Sequence, residues 1–484
     1  MRRFLITFIL GFFLSVLIYP SALRSPTTTL PDNNDTRLIA YIIGQVQNNL
    51  LSHRPLFWGT FFAPYNNTLT YSEPFVTTAV ISLPFRLLTS SPITIFNLAF
   101  ILTTSLTFAT SFLLFTYLTG DRVKGLFAAL LFFLSGFHLA YLPHLQLYSL
   151  WPFFSALYCF CRYQREDRSF FLHLFFLFTL FQLADSFLPV YFLFLICLVL
   201  WLQKPRHLLQ IFLSGLPFLL CVFILLSPYL ALPRTFPEAI RPIRDAAHFS
   251  LGLEEIFTQY RSWTIILTLL LAFFFKTKSR LTPYYLILVS ALVLSLGPVL
   301  KLQGRTLKVF GLPIPLPYAL LYYTFPGFTG LRTPSRFVLP ALLAAVVIIA
   351  LRLPRKPLLY ALVISLLLFE AGLPRPGFPV DPAPPAVYEP VAALPQTAVI
   401  LELPILLWNQ PGHEIESLRS LYSLDHGHRR VGGYSGFAPL NWIDLVGQIT
   451  TSGTDPEVIN RLKNLGVTHI VKNNRLHPLL DYQE

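Results

Sequence analysis

The sequence predicts a polytopic α-helical membrane protein of about eleven transmembrane helices, with a small α/β domain at its C-terminal end. Three observations lead there. Hydrophobic residues fill 54% and charged residues 12% of the 484 positions, with a mean hydropathy of +0.60, whereas soluble chains carry about 25% charged residues. Apolar runs of about 17 to 22 residues recur as far as Gly372, each long enough to cross a hydrocarbon core of about 30 Å as a helix. After Gly372 the composition changes to that of ordinary soluble sequence. The runs lack the alternation of barrel strands, so helices are the only spanning structure that fits.

Bounded by charge, Pro or Gly, the spans read 4–21, 93–117, 123–141, 147–163, 169–184, 187–203, 208–229, 263–276, 282–300, 335–352 and 357–373. The first follows Arg2 and Arg3 and is longer than a signal-peptide core, which predicts an uncleaved span with a cytoplasmic N-terminus. Every second connection is then basic: Arg122 and Lys124; Arg162, Arg165 and Arg168; Lys204 and Arg206; Lys276, Lys278 and Arg280; Arg352, Arg355 and Lys356. That alternation follows the positive-inside rule and predicts a multi-pass protein of the plasma membrane. It accounts for the net charge of +13 through insertion and anionic headgroups, with no need of nucleic acid. The four cysteines, Cys159, Cys161, Cys197 and Cys221, lie in apolar segments, so neither a disulfide framework nor a metal knuckle is implied.

The same alternation puts 22–92, 230–262, 301–334 and the C-terminal tail outside. Within the first connection, Asp35 to Leu51 repeats Leu38, Ile39, Ile42, Ile43, Val46, Leu50 and Leu51 at helical spacing, and Phe75 to Leu88 is a second such segment broken by Pro84. Both read as helices lying along the membrane surface. The domains are therefore 1–373, spanning and including the outer loop 22–92; a Pro-rich linker, 374–390; and an extracytoplasmic α/β domain, 391–484, with strands at Thr397 to Leu403 and Gly466 to Lys472 and a helix at Asp455 to Leu465.

With 23 carboxylates in the whole chain, the placing of Asp32, Asp35 and Glu73 in one outer loop is informative. Asp35 stands where it can cap the following helix or act as general base toward a hydroxyl, and the residues alone leave both readings standing. Phe61 to Pro74, FFAPYNNTLTYSEP, brings Tyr71 and Glu73 among aromatics, a set that suits sugar hydroxyls and faces as well as plain loop structure. His144 and Gln146 in LPHLQLYSLW are polar at the outer mouth of two spans, with Trp151 as an interfacial belt residue in the bland reading. Asp185 sits on another outward turn. Arg332 and Arg336 in GLRTPSRF oppose the basic-inside trend; their forks of donors suit phosphate, with headgroup snorkelling as the rival role. No Walker loop, dinucleotide fingerprint, HExxH or G-x-S-x-G elbow occurs, which disfavours an ATP-driven machine or a serine hydrolase.

Together the single span, the long outer loop with its acid and helix, FFAPYNNTLTYSEP, the HLQ run, GLRTPSRF and the later GGYSGFAPLNW resemble bacterial GT-C glycosyltransferases that use polyprenyl-phosphate sugars, related to the protein mannosyltransferases. The acid of that subgroup is usually flanked as Gly-Asp-Pro; here Asn34-Asp35-Thr36 aligns by its acid and not its flanks. The resemblance implies a GT-C-like fold and inverting hexosyl or pentosyl transfer. Asp35 would deprotonate an acceptor hydroxyl, Arg332 and Arg336 would hold the leaving phosphate, and Asp32, Glu73, Tyr71, His144 and Gln146 would contact substrate. It leaves a divalent metal undecided, because members differ, and no compact ligand set is present. The partners implied are a lipid-linked sugar donor and the bilayer, with the acceptor unnamed. A transporter of lipid-linked saccharides and an inactive sugar-binding relative are the competing readings.

Overall fold

Backbone threaded through apolar sequence has to satisfy its own hydrogen bonds, and this chain does so as helix. The structure, a computed structural model, describes residues 2–205, 207–260 and 262–479; Arg206, one of the predicted cytoplasmic basic residues, lies outside them. Each of the eleven predicted segments contains a helix, from Arg2–Ile18 and Pro92–Thr119 to Val338–Arg352 and Pro357–Ala371. Among the described residues, three helices are long and apolar enough to cross a membrane: Pro92–Thr119, Leu208–Thr235 and Pro334–Arg352. Pro92–Thr119 is central. It packs against Arg2–Ile18, Asp35–Leu51, Arg122–Leu134 and Trp151–Glu166, starts at the Ser91 cap, and stops where Gly120 adopts φ +67°.

Some segments differ from expectation for identifiable reasons. The run 123–141 breaks at Ser135, which is extended (φ −64°, ψ 139°) and whose Oγ accepts the Phe137 N–H; helix Arg122–Leu134 is followed by the single turn Gly136–Leu139. The run 208–229 continues to Thr235 through Pro217, Pro228 and Pro233. The five predicted basic loops are gathered at one end by a chain of contacts. Arg355 meets Asp121 at 3.3 Å and Lys124 donates to the Leu351 carbonyl at 3.4 Å. Arg352 donates to the carbonyls of Phe273 and Phe275, Arg280 to Gln203 and Lys204 to the Gln164 carbonyl.

Asp35–Leu51 does not lie on a membrane surface. Its residues from Thr36 to Gln47 are buried, because it is wedged between Pro92–Thr119 and helix Glu414–His426 of the C-terminal segment. Apolar residues at helical spacing mark a face to be covered, and here protein covers it. The second segment splits at Pro84 into helix Val76–Ser82 and a 3₁₀ turn, Leu83–Leu87; it buries Thr77, Thr78 and Ser82 and leaves Val80, Leu87 and Leu88 exposed.

Past Gly372 the chain is pinned down from the start. Arg375 N–H donates to the Ile18 carbonyl at 2.8 Å, and Phe378–Pro379 pairs antiparallel with Thr29–Leu30, so the proline-rich stretch is not a free spacer. A four-stranded sheet follows in the order Arg475–Pro478, His469–Lys472, Val399–Glu402, Arg429–Arg430, antiparallel in its first pair and parallel in the others. The outer loop docks beside its edge: Arg430 N–H donates to the Thr60 carbonyl at 2.8 Å, Ala63 N–H to that of Arg430 at 2.9 Å, and Phe62 N–H to that of Gly432 at 3.2 Å.

At that edge Arg430, 0% exposed, is held between two buried carboxylates, with Nε 2.5 Å from Glu402 and Nη2 2.6 Å from Glu416; Tyr388 also donates to Glu402. Burial pushes the Glu402 carboxyl up, but Arg430 and Arg419 outweigh it and hold the group below its ordinary value. Arg430→Ala leaves two buried acids without their partner, and a loss of about 3–5 kcal/mol is expected, read as a lower melting temperature in detergent. The depressed Glu402 contributes stability above the unfolded carboxyl value of about 4.3 and loses it as pH falls through the lower folded value. The wild-type melting temperature should therefore drop in that acid range, and the drop should be smaller in Arg430→Ala.

Candidate active site

Two acids three residues apart divide the work at the start of Asp35–Leu51. Asn34 occupies the cap position with no side-chain cap bond. The capping is done by Asp32, whose Oδ1 accepts the N–H of Thr36 at 2.9 Å and of Asn34 at 3.0 Å and the Thr36 hydroxyl at 2.8 Å. Asp35 is thereby left without a capping role. It sits in the first turn, where the helix dipole favours an anion, and its side chain is 37% exposed. Tyr434 donates to its Oδ1 at 2.9 Å, and His144 Nδ1 lies 3.3 Å from its Oδ2.

The two groups on Asp35 come from opposite ends of the fold. His144 stands just before the short turn Leu145–Tyr148. Burial and the Arg336 guanidinium push its imidazole down to about 4, against the pull of Asp32. It is a neutral ring near pH 7, and with a proton on Nδ1 it can donate toward Asp35. Tyr434 belongs to GGYSGFAPLNW. Burial, then the neighbouring Asp35, push its hydroxyl above the ordinary phenol, so it stays a donor. Its ring stacks on His413, with centroids 6.0 Å apart. His413 accepts from the Asn34 amide at 2.9 Å through Nε2 while its Nδ1 faces the Gln410 carbonyl at 2.9 Å. The two glycines before Tyr434 are needed for the approach. A Cβ on Gly432 would stand 2.4 Å from Glu416 Oε2, and one on Gly433 2.8 Å from the Phe62 ring.

The arginine pair lies on the same side. Arg332 stacks over the Phe249 ring at 4.2 Å, and its charge acts on Tyr434 and on Arg241. The charge of Arg336, in the 3₁₀ turn Pro334–Phe337, acts on His144 and Glu73. Both guanidiniums are half-buried, and among the described residues neither has an ion pair or a side-chain hydrogen bond. Arg241 adds a third arginine beside Arg332: it donates to the Gly436 carbonyl, accepts the Tyr322 hydroxyl on its own carbonyl at 2.5 Å, and is pushed down by burial and then by Arg332.

Other predicted residues fall elsewhere. Glu73 Oε2 accepts the Phe187 N–H at 3.0 Å; burial raises its pKa, while Phe187, Arg336 and Ser186 oppose the rise. Asp185 binds the N–H and hydroxyl of Thr78 at 2.7 and 2.8 Å, a structural clasp. Tyr71 packs among Phe62, Phe236 and Phe437 with its hydroxyl buried and unpartnered. Gln146, two residues past His144 and so on another face of the turn, has a buried amide oxygen without a partner. Tyr434, His413 and Arg241 were not singled out by the sequence reading. Nothing in the sequence separates Arg241 from Arg234 and Arg244 in the same connection. Among the described residues no three His, Cys, Asp or Glu side chains converge to hold a metal. In the full-length protein labelled with ¹⁵N-histidine, His144 should stay neutral from pH 5.5 upward, and Arg336→Ala should raise its midpoint.

No family model and no curated protein matches the sequence. Among solved structures, the chain is similar to the arabinofuranosyltransferase AftD from Mycobacteria, with a TM-score of 0.61 at 13% identity over 99% of this chain and 36% of that one. A mutant form of the same enzyme gives 0.58 at 15% identity over 97% and 36%. ArnT from Cupriavidus metallidurans, in its apo state, aligns over 98% of this chain and 96% of its own at 12% identity, and its TM-score of 0.37 carries no argument. The chain thus spans about a third of AftD. At this identity the likeness is one of fold, to the part of AftD that the chain covers.

Proposed function

We propose that the protein transfers a sugar from a polyprenyl-phosphate donor to a hydroxyl acceptor at the outer face of the plasma membrane. The observation that carries this reading is the pairing of a part-exposed acid, which accepts from Tyr434 and faces His144, with two half-buried arginines that make no ion pair among the described residues. In the proposed step Asp35 takes the acceptor O–H proton, the acceptor oxygen bonds to the anomeric carbon from the side opposite the phosphate, and the carbon–oxygen bond to phosphate breaks with inversion. The electron pair leaves on the phosphate monoester, whose growing charge Arg332 and Arg336 neutralise. Tyr434 and His144 hold the Asp35 carboxylate so that one geometry meets the acceptor. Arg241 lies beside Arg332 as a further cation for the donor.

The eleven-span topology, with the basic loops inside and residues 391–484 outside, belongs to the same proposal. It is supported by the gathering of those loops at one end of the molecule. The name of AftD argues for including pentofuranosyl donors beside hexosyl ones in any assay.

The test is transfer by the purified protein in proteoliposomes from a panel of polyprenyl-phosphate sugars. Asp35→Asn should insert normally, bind donor as the wild type does, and lose about 10²–10⁴-fold in transfer rate; full activity would remove Asp35 from the role of base. Arg332→Ala should weaken donor binding, and unchanged donor affinity would return Arg332 to headgroup contact. Movement of an intact lipid-linked saccharide across the bilayer without transfer would favour the transporter reading, and donor binding with no transfer from any sugar the inactive one.

A further inference from the structure

Between helices Thr282–Ser295 and Pro317–Thr324 stands a small double hairpin. Lys301–Leu302 pairs with Arg305–Thr306, and Lys308–Val309 with Leu312–Pro313. Leu307 N–H donates to the Leu300 carbonyl at 2.9 Å and Ile314 N–H to that of Leu307 at 3.2 Å, joining the two halves. Each tip is a two-residue turn with both residues left-handed: Gln303 and Gly304 at φ +50° and +70°, Phe310 and Gly311 at +50° and +80°. Such turns favour Asn-Gly or Asp-Gly. The first tip has a polar residue in the leading position. The second places an aromatic in that strained position and exposes it completely, at 102%, between Val309 at 51% and Leu312 at 71%.

The base of this element is firmly held. Lys301 is buried and its Nζ donates to the carbonyls of Ser250 at 2.6 Å and His248 at 3.3 Å, on either side of the Phe249 ring that carries Arg332. The free end is basic and apolar together: Arg305 and Lys308 are exposed, and no Asp or Glu occurs between Glu255 and Glu370. Aromatic and aliphatic side chains beside exposed Lys and Arg complement an anionic bilayer surface, where rings enter the interface and cations meet headgroups. We propose that the tip Val309 to Leu312 inserts into the interfacial layer of the membrane, with Arg305 and Lys308 on anionic lipid headgroups. In water that apolar surface stays hydrated; insertion into lipid removes it from water.

Spin labelling of the full chain in lipid nanodiscs tests this. A nitroxide is placed at Phe310→Cys in a Cys221→Ser background, since the other cysteines are buried, with Asn473→Cys on the exposed turn of the outer sheet as the aqueous reference. Phe310 packs against nothing, so its replacement leaves the fold intact. The expected result is several-fold more collision with oxygen than with a water-soluble nickel chelate at 310, and the reverse at 473. Arg305→Glu with Lys308→Glu should lessen that contrast in discs containing phosphatidylglycerol and leave it unchanged in phosphatidylcholine alone. Nickel access at 310 equal to that at 473 overturns insertion, as does shielding from both reagents, which would mean a protein surface covers the tip. An unchanged contrast in phosphatidylglycerol overturns the headgroup contact.

Discussion

The half of the molecule that holds the candidate site depends on one buried guanidinium. Taking Arg430, Glu402 and Glu416 out of water costs several kcal/mol per ion, and only close geometry offsets it. Nε and Nη2 each reach a carboxylate within 2.6 Å, so strand Val399–Glu402, helix Glu414–His426 and the edge strand are fixed relative to one another. What is fixed there reaches the candidate site almost at once. Two glycines later the chain presents Tyr434, and those glycines are threaded against Glu416 and Phe62 with no room for a side chain. The outer loop is registered to the same edge through Thr60, Phe62 and Ala63, so the acid on the loop and the tyrosine on the tail meet in a set position.

Arg430 and the pair Arg332 and Arg336 are the same functional group in opposite states. The first has both faces of its fork satisfied by carboxylates. The others are half-buried with a ring beneath one of them and no counter-ion among the described residues. Holding partly desolvated charge without a partner is unfavourable, and the Arg336 charge adds to burial in keeping the His144 ring neutral. On the proposed reading, this pair is where the phosphate of the donor would be held. The arrangement also leaves His144 a neutral ring beside Asp35 rather than a competing cation.

Much of this was legible in the sequence where local chemistry decides the outcome. Apolar run length fixed the positions of the helices, and arginines against the insertion trend pointed to Arg332 and Arg336. The scarcity of acids pointed to Asp35, and His144 stood out as polar at a span mouth. The rest depends on contacts between distant parts of the chain. The greasy face of Asp35–Leu51 looked like a membrane-surface helix because its cover, helix Glu414–His426, lies far along the chain; Asn34 and His413 meet across 379 positions. The sequence reading put the capping alternative on Asp35, and only the turn of the backbone at Asn34 assigns the cap to Asp32. Tyr71 looked like a sugar contact from composition, yet aromatic neighbours from Phe236 and Phe437 enclose it.

The pairing of Thr29–Leu30 with Phe378–Pro379 has a mechanical consequence. Together with the seam along Thr60 to Ala63 and the Tyr434 to Asp35 contact, it stitches the tail to the first outer loop at separate places. A cap sewn down along several edges resists swinging like a hinged lid. On the proposed reading, donor and acceptor would therefore reach Asp35 past a tail that stays in place.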